Sequence, residues 1–205
     1  MSKIFITGVA KSGTTLLKRM FFAFEDVAII KQEVTIDDFV KQEVPNGRTL
    51  IGKRGSQTLL GCGSLPFAER ERQAELMKDM IIINIVRHPN SVCKSYLRDF
   101  DVDGGFDWVY SVYDYLDYKY LIRLNIKYED LIENPNEVQK RISEATGLKI
   151  KHKFSDYPSF FPDRDVEMQE QYQARKLEKI EMPERCNTLM SEESINIAKK
   201  VYGYE

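Results

Sequence analysis

The chain has 205 residues, 42% apolar and 30% charged, the balance of a globular protein rather than a disordered one. Thirty basic against 32 acidic residues leave a formal net charge of −2, which argues against bulk attraction to nucleic acid or to an anionic membrane. Affinity for an anion must therefore come from individually placed cations.

Ile4 to Ile6 is a short apolar strand candidate, Gly8 to Gly13 a loop of small residues, and Thr14 opens an apolar-periodic helix that fades near Glu25 and Asp26. Such a strand–loop–helix unit aims backbone N–H groups and a helix N-terminus at one place, which suits a phosphate. Gly8 and Gly13 keep the spacing of a nucleotide-binding P-loop, but Thr14 and Thr15 stand where its Lys-Ser/Thr pair belongs. The lysine is Lys11, inside the loop, so its charge meets a different part of the ligand. The chain leads straight into this strand without a secretory leader pattern. No apolar run approaches the ~20 residues that span a bilayer. The expectation is a cytoplasmic protein with no membrane partner, or one whose N-terminal anchor has been removed.

Val27 to Ile30 reads as a second strand, Thr35 as the N-cap of a helix with Asp37 and Asp38 in its first turn, and Pro45-Asn46-Gly47 as a turn. Thr49 to Lys53 is a third strand, Gly61 to Pro66 a loop, and Phe67 to Lys78 a polar helix. Met80 to Val86 is a continuous apolar run, typical of a strand buried in a parallel sheet. It ends at Arg87, and Pro89 suits the first turn of the helix Asn90 to Asp99. Arg87 thus falls at the carboxyl end of a strand, where open α/β sheets bind ligands. Ser95, two turns on, is placed to share one anionic group with it.

Asp99 to Asp107 reads as an acidic break, and Trp108 to Leu124 as a helix whose aromatics, spaced three or four apart, face the core. Asn125 to Tyr128 is the last strand expected. Lys151 to Asp165 has no clear period, Gln169 to Lys179 has charged helical character, and Ser191 caps a helix running to Val201. Cys62, Cys93 and Cys186 are odd in number and widely spaced, which suggests a reducing compartment and no zinc pattern. Neither His88 nor His152 lies near a cysteine pair, so no metal site is expected. The whole, 1–205, reads as one α/β domain with a P-loop NTPase-like three-layer fold, a central parallel sheet flanked by helices.

Three segments resemble the PAPS-dependent sulfotransferase family, PAPS being 3′-phosphoadenosine 5′-phosphosulfate. Ala10-Lys11-Ser12-Gly13-Thr14-Thr15-Leu16-Leu17 is similar to the family's 5′-phosphosulfate loop. Arg87, Pro89 and Ser95 match its 3′-phosphate motif, and Ile126-Lys127-Tyr128-Glu129-Asp130-Leu131 resembles its V-x-Y-E-D-L segment. The likeness runs from residue 3 to about 150. Ala10, His88 and Ser91 depart from the usual residues without removing a phosphate ligand. The resemblance implies PAPS as co-substrate, adenosine 3′,5′-bisphosphate as product, and donor contacts from Lys11, Ser12, Gly13, Thr14, Thr15, Arg87 and Ser95. It also implies a basic segment closing over the nucleotide, for which Arg175-Lys176 is the pair in place.

Sulfuryl transfer from such a donor to a hydroxyl or amine builds negative charge on the bridging phosphate oxygen, so a cation there favours the transition state over the ground state. Lys11 is the candidate, and no Mg²⁺ is needed in principle. The acceptor must lose a proton to a general base. In the glycan and tyrosyl-protein branches of the family a glutamate about twenty residues beyond the loop lysine serves, and Glu33 occupies that place. Lys53 falls where many members carry a lysine, although Arg54-Gly55 does not match its usual context. Small-molecule or glycan acceptors fit this reading. Their identity is written in loops, here Gln32 to Gln42, Ser56 to Pro66, Asp101 to Asp107 and Phe154 to Asp165. The alternatives are a P-loop kinase of a nucleotide or small molecule, and a catalytically silent nucleotide-binding protein of the same fold.

Overall fold

The computed structural model describes residues 2–54, 66–101, 105–157, 159–160 and 192–204. Among the described residues five strands form one all-parallel sheet: β1 (Lys3–Thr7), β2 (Val27–Ile29), β3 (Thr49–Lys53), β4 (Ile81–Val86) and β5 (Ile122–Lys127), in the order β2-β3-β1-β4-β5. The described helices are α1 (Thr14–Met20), α2 (Ile36–Lys41), α3 (Phe67–Met77), α4 (Pro89–Phe100), α5 (Gly105–Tyr118), α6 (Tyr128–Glu133), α7 (Pro135–Thr146) and α8 (Glu192–Tyr202).

Successive strand residues point to opposite faces, and the core divides accordingly. Ile4, Ile6, Ile83 and Ile85 pack with Leu17, Met20, Leu131, Val138 and Ile142 from α1, α6 and α7. Phe5 and Ile82 pack on the other face with Ile36, Phe39, Ala74 and Met77 from α2 and α3. A third cluster, around Val86, Val92, Trp108 and Tyr202, joins α4, α5 and α8 beyond the end of β4. Helices thus cover both faces of a parallel sheet, the α/β three-layer arrangement expected of the sequence.

One polar row crosses this core. Thr7 Oγ1 donates to Asn84 Oδ1 (3.1 Å), and Asn84 Nδ2 donates to Asn125 Oδ1 (2.8 Å). The three residues are register partners on β1, β4 and β5. A buried amide satisfied in this way ties the strands together one layer beneath the P-loop.

Caps explain several boundaries. Thr35 accepts the Asp38 N–H at the start of α2, and Gly147 (φ +75°) ends α7 in the left-handed conformation that glycine favours. His88 is the N-cap of α4, its Nδ1 accepting the Asn90 N–H (3.3 Å), with Pro89 at the first helical position.

Three expectations need correction. The acidic break is shorter than Asp99 to Asp107: α4 continues through Phe100, Asp101 caps it at φ +53°, and Asp107 already lies in the first turn of α5. The aromatic helix stops at Tyr118, followed by a 3₁₀ turn over Lys119–Leu121. Ile122 through Leu124 belong to β5, which ends at Lys127, so Tyr128 opens α6 rather than closing a strand. Ile122, Leu124 and Ile126 alternate with Arg123, Asn125 and Lys127, a period-two signal overshadowed by the run of tyrosines before it. Those aromatics do not all face the core either. Trp108 and Tyr118 are buried, while Tyr113 and Tyr120 are more than half exposed. The Gly61 to Pro66 loop, save Pro66, the segment Gln169 to Lys179, Ser191, Cys62 and Cys186 lie outside the described residues. Among the described residues no helix is long and apolar enough to cross a membrane.

Candidate functional site

The carboxyl ends of β1, β3 and β4 lie side by side, and β1 sits where the order of connection reverses, the usual place for a ligand crevice. Between β1 and α1 the chain passes through Gly8 (φ +150°), Lys11 (φ +66°) and Gly13 (φ +97°). A β-carbon on Gly8 would strike the Ile85 carbonyl, and one on Gly13 the Tyr128 ring, so both positions require glycine. Ser12 is fully buried and turns both its N–H (3.1 Å) and its hydroxyl (2.6 Å) to the Val9 carbonyl, bracing the loop from within. Thr14 is buried and Thr15 half-buried at the start of α1.

Lys11 adopts a backbone conformation that a lysine rarely takes. Its carbonyl accepts a hydrogen bond from Arg87 Nη1 (3.1 Å). Its ammonium lies 2.7 Å from Asp99 Oδ2 and 4.4 Å from the centre of the Phe100 ring. Arg98 and Lys11 hold the Asp99 carboxyl well below the usual carboxylate range, the hydrogen bond from Arg98 being the larger cause. Main chain and side chain of Lys11 are thus fixed separately, one by β4 and the other by the last turn of α4.

Arg87 is the hub of the side formed by the ends of β1 and β4. Only 8% exposed at the end of β4, it also donates from Nη1 to Ser95 Oγ (3.3 Å) and lies 4.4 Å above the Tyr128 ring. The ring presents its negative face to the guanidinium. The Arg87 carbonyl accepts Trp108 Nε1–H (2.9 Å), and the next N–H, of His88, donates to Glu129 Oε1 (2.9 Å). Glu129 Oε2 in turn accepts the Tyr204 hydroxyl (2.8 Å), while Lys127 donates to the Gly203 carbonyl and lies 5.0 Å from the Tyr204 ring. The chain's last described turn is thereby fastened beside the arginine. Burial keeps the His88 pKa below its ordinary value, against the pull of Glu129 and with a smaller push from Lys199.

The opposite side of the crevice is built by β2 and β3. Lys53 is buried at the end of β3, and its ammonium pairs with the carboxylate of Glu33, whose side chain is half exposed. Lys18, on the buried side of α1, donates to the carbonyls of Ile30 and Lys31, both at 2.9 Å. Burial first, and then the neighbouring Lys53 charge, bring the Lys18 pKa down to about 8, while Glu33 acts to raise it and Arg19 to lower it.

Lys11, Ser12, Gly13, Thr14, Thr15, Arg87 and Ser95 therefore gather around the ends of β1 and β4, and Glu33 and Lys53 pair at the neighbouring edge. Arg175 and Lys176 lie outside the described residues. Asp99, Lys18 and Tyr204 were not singled out from sequence, and Tyr128 and Glu129, flagged within the segment Ile126 to Leu131, were not assigned the contacts to Arg87 and Tyr204 that the structure gives them. Lys18 carried a usable signal, a charge one turn beyond Thr14 on the helix face that otherwise buries apolar residues. Asp99 carried none, because its partner lies 88 residues away. Among the described residues no three His, Cys, Asp or Glu side chains converge as metal ligands.

No family model and no curated relative matches the sequence. Similar solved structures do exist. The sulfotransferase domain of the olefin synthase from Synechococcus PCC 7002 superposes with a TM-score of 0.64 at 16% identity, covering 100% of this chain and 94% of that one. Mouse sulfotransferase SULT7A1, solved in complex with PAP, gives a TM-score of 0.53 at 14% identity, covering 99% of this chain and 83% of the mouse one. At such identities the likeness establishes a shared fold, the sulfotransferase fold, and leaves chemistry to the site.

Proposed function

We propose that this protein is a PAPS-dependent sulfotransferase, moving a sulfuryl group to a hydroxyl or amine of a small-molecule or glycan acceptor. The observation that carries the reading is the convergence on Arg87. Three segments distant in sequence meet there: the P-loop through the Lys11 carbonyl, α4 through Ser95, and α6 through the Tyr128 ring. A buried guanidinium with a hydroxyl beside it and a cationic loop next door suits a ligand carrying two separate phosphates, one on each side. The mouse neighbour, a PAP complex, supports the same ligand class.

The donor supplies the sulfuryl group and leaves as adenosine 3′,5′-bisphosphate. Arg87 and Ser95 would hold the 3′-phosphate, and the N–H groups at the start of α1 with Thr14 and Thr15 the 5′-phosphate. Lys11, released from Asp99, would place its ammonium where charge grows on the bridging oxygen, a stabilisation felt mainly in the transition state. Lys53 would add a second, buried cation on the acceptor side. Glu33, at the solvent-facing end of that pair, would accept the acceptor's proton.

Isothermal titration with adenosine 3′,5′-bisphosphate, adenosine 5′-phosphate and ATP tests this reading. The bisphosphate should bind at least tenfold more tightly than either of the others without added metal. Preference for ATP with Mg²⁺ would overturn it in favour of a kinase. Tight bisphosphate binding with no turnover on phenol, amine and carbohydrate acceptors would leave a silent binding module.

A further inference from the structure

Glu33 lies in the short stretch that leaves β2 and enters α2. The sheet holds this stretch at its two ends, where the Ile30 N–H donates to the Ile51 carbonyl (3.0 Å) and the Val34 N–H to the Lys53 carbonyl (3.1 Å). Among the described residues β2 is the edge strand, paired with β3, so there the stretch has sheet on one side. Between the two anchors, Lys18 reaches across from α1 and donates to the carbonyls of Ile30 and Lys31 at 2.9 Å each.

We propose that Lys18 is a positioning residue for the acceptor side of the site, its ammonium pinning residues 30 and 31 so that Glu33 stays paired over Lys53. This rests on the sulfuryl-transfer reading for its consequence, but not for its geometry. A lysine is an uncommon choice for a 4%-exposed position on a helix that otherwise packs Leu17 and Met20 into the core. Removing a charge from water without a carboxylate in direct contact is costly, and two charge-assisted bonds to carbonyls are the compensation present. The same helix begins at the P-loop. Lys18 therefore links the element that would hold the donor's 5′-phosphate to the backbone that carries the candidate base.

The cations and acids around it are Lys53 from β3, Glu33 from the pinned stretch and Arg19 from α1 itself. Lys53 repels the Lys18 charge and Glu33 attracts it. Loss of Lys18 would free the backbone next to Glu33 and also remove a positive charge from its surroundings.

The test compares the wild type with Lys18→Met, Lys18→Gln and Lys18→Arg. Hydrogen–deuterium exchange is followed for residues 30–34 and for the P-loop, binding by titration with adenosine 3′,5′-bisphosphate, and turnover as bisphosphate released from PAPS with and without a carbohydrate acceptor. In Lys18→Met and Lys18→Gln, exchange in 30–34 should rise tenfold or more and turnover should fall at least tenfold. P-loop exchange and bisphosphate affinity should stay within twofold of wild type. Lys18→Arg, which keeps the charge and the donors, should restore both. Unchanged exchange in 30–34, unchanged turnover despite faster exchange, or an equal loss of bisphosphate affinity would each overturn the positioning role, the last by making Lys18 merely part of the α1 packing. A wild type that binds no bisphosphate would instead overturn the sulfuryl-transfer reading, while the exchange comparison still decides whether Lys18 pins the stretch.

Discussion

The crevice has two sides that are built differently. At the ends of β1 and β4 the important groups are held by backbone and by aromatic contacts. Gly8 and Gly13 set the loop, the Val9 carbonyl anchors Ser12, and Arg87 is clasped by a carbonyl, a hydroxyl and the Tyr128 ring. At the ends of β2 and β3 the important groups are held by charge: Lys53 on Glu33, with Lys18 on two carbonyls of the stretch that leaves β2. The first side is rigid and short-range in its logic. The second depends on ion pairing and on charge-assisted bonds, so it is exposed to single charge changes. Under the proposed sulfuryl-transfer reading, one nucleotide is kept in a fixed pose while an acceptor enters and loses a proton, a task suited to a site preorganised on one side and adjustable on the other.

The sharpest division between the two sides comes from Glu33→Gln, which keeps the size and loses the charge. Turnover should fall ~10²–10⁴-fold, the usual contribution of a general base, while bisphosphate affinity stays within error. Steady-state kinetics beside a binding titration would measure both. A loss of bisphosphate affinity would mean that the sides are not separable. Normal turnover would move the search for the base to Asp37, Asp38 and His152.

Lys11 stands on the boundary, with its main chain on the rigid side and its ammonium on Asp99. Lys11→Ala should cost ~10²–10³ in rate and leave measurable bisphosphate binding, because the lost interaction belongs to the transition state. Wild-type turnover in single-turnover assays would remove Lys11 from the chemistry.

On the rigid side, Arg87→Ala should weaken adenosine 3′,5′-bisphosphate by about 1.5–3 kcal/mol, the range for a hydrogen bond to a charged group. Adenosine 5′-phosphate should be barely affected. Equal weakening of both ligands, seen by calorimetry, would make Arg87 a residue of the fold rather than a reader of the 3′-phosphate.

The smallest effect concerns stability on the charged side. The Lys18 ammonium has a pKa of about 8 in the folded chain against 10.5 for the free side chain. Between these values the unfolded chain holds a proton that the folded one has released, so this residue's contribution to stability rises with pH across that window and is flat below it. Urea unfolding of wild type and Lys18→Met at pH 7 and at pH 10 should show the wild type gaining relative to the variant. A constant difference would place the ammonium in a less buried setting.

Much of the donor side was legible in the sequence because its determinants are local. Two glycines five residues apart, an apolar strand before them and a helix after them specify a loop wherever they occur, since only glycine tolerates φ values of +150° and +97° with a carbonyl or a ring against the α-carbon. The helix that carries Ser95 opens at Pro89, a signal that sits in the first turn itself, whereas its His88 cap emerged only from the structure. The end of the aromatic helix was harder. Tyrosines at helical spacing dominate residues 110–120, and the weaker alternation of Ile122, Leu124 and Ile126 became decisive only once β4 was there to pair with it.

What tertiary structure alone decided is which charges meet. Composition and spacing place Lys11, Glu33, Lys53 and Arg87 on the right elements, but not Lys11 against Asp99, Lys18 against the carbonyls of Ile30 and Lys31, or Tyr204 against Glu129. Those partners lie 12 to 88 residues apart in the chain. A long charged side chain can reach many neighbours, so its partner is selected by sheet order and helix packing, which the periodicity of any one segment does not encode. Local backbone geometry is written in adjacent residues. The pairing of distant charges is settled only when the layers close.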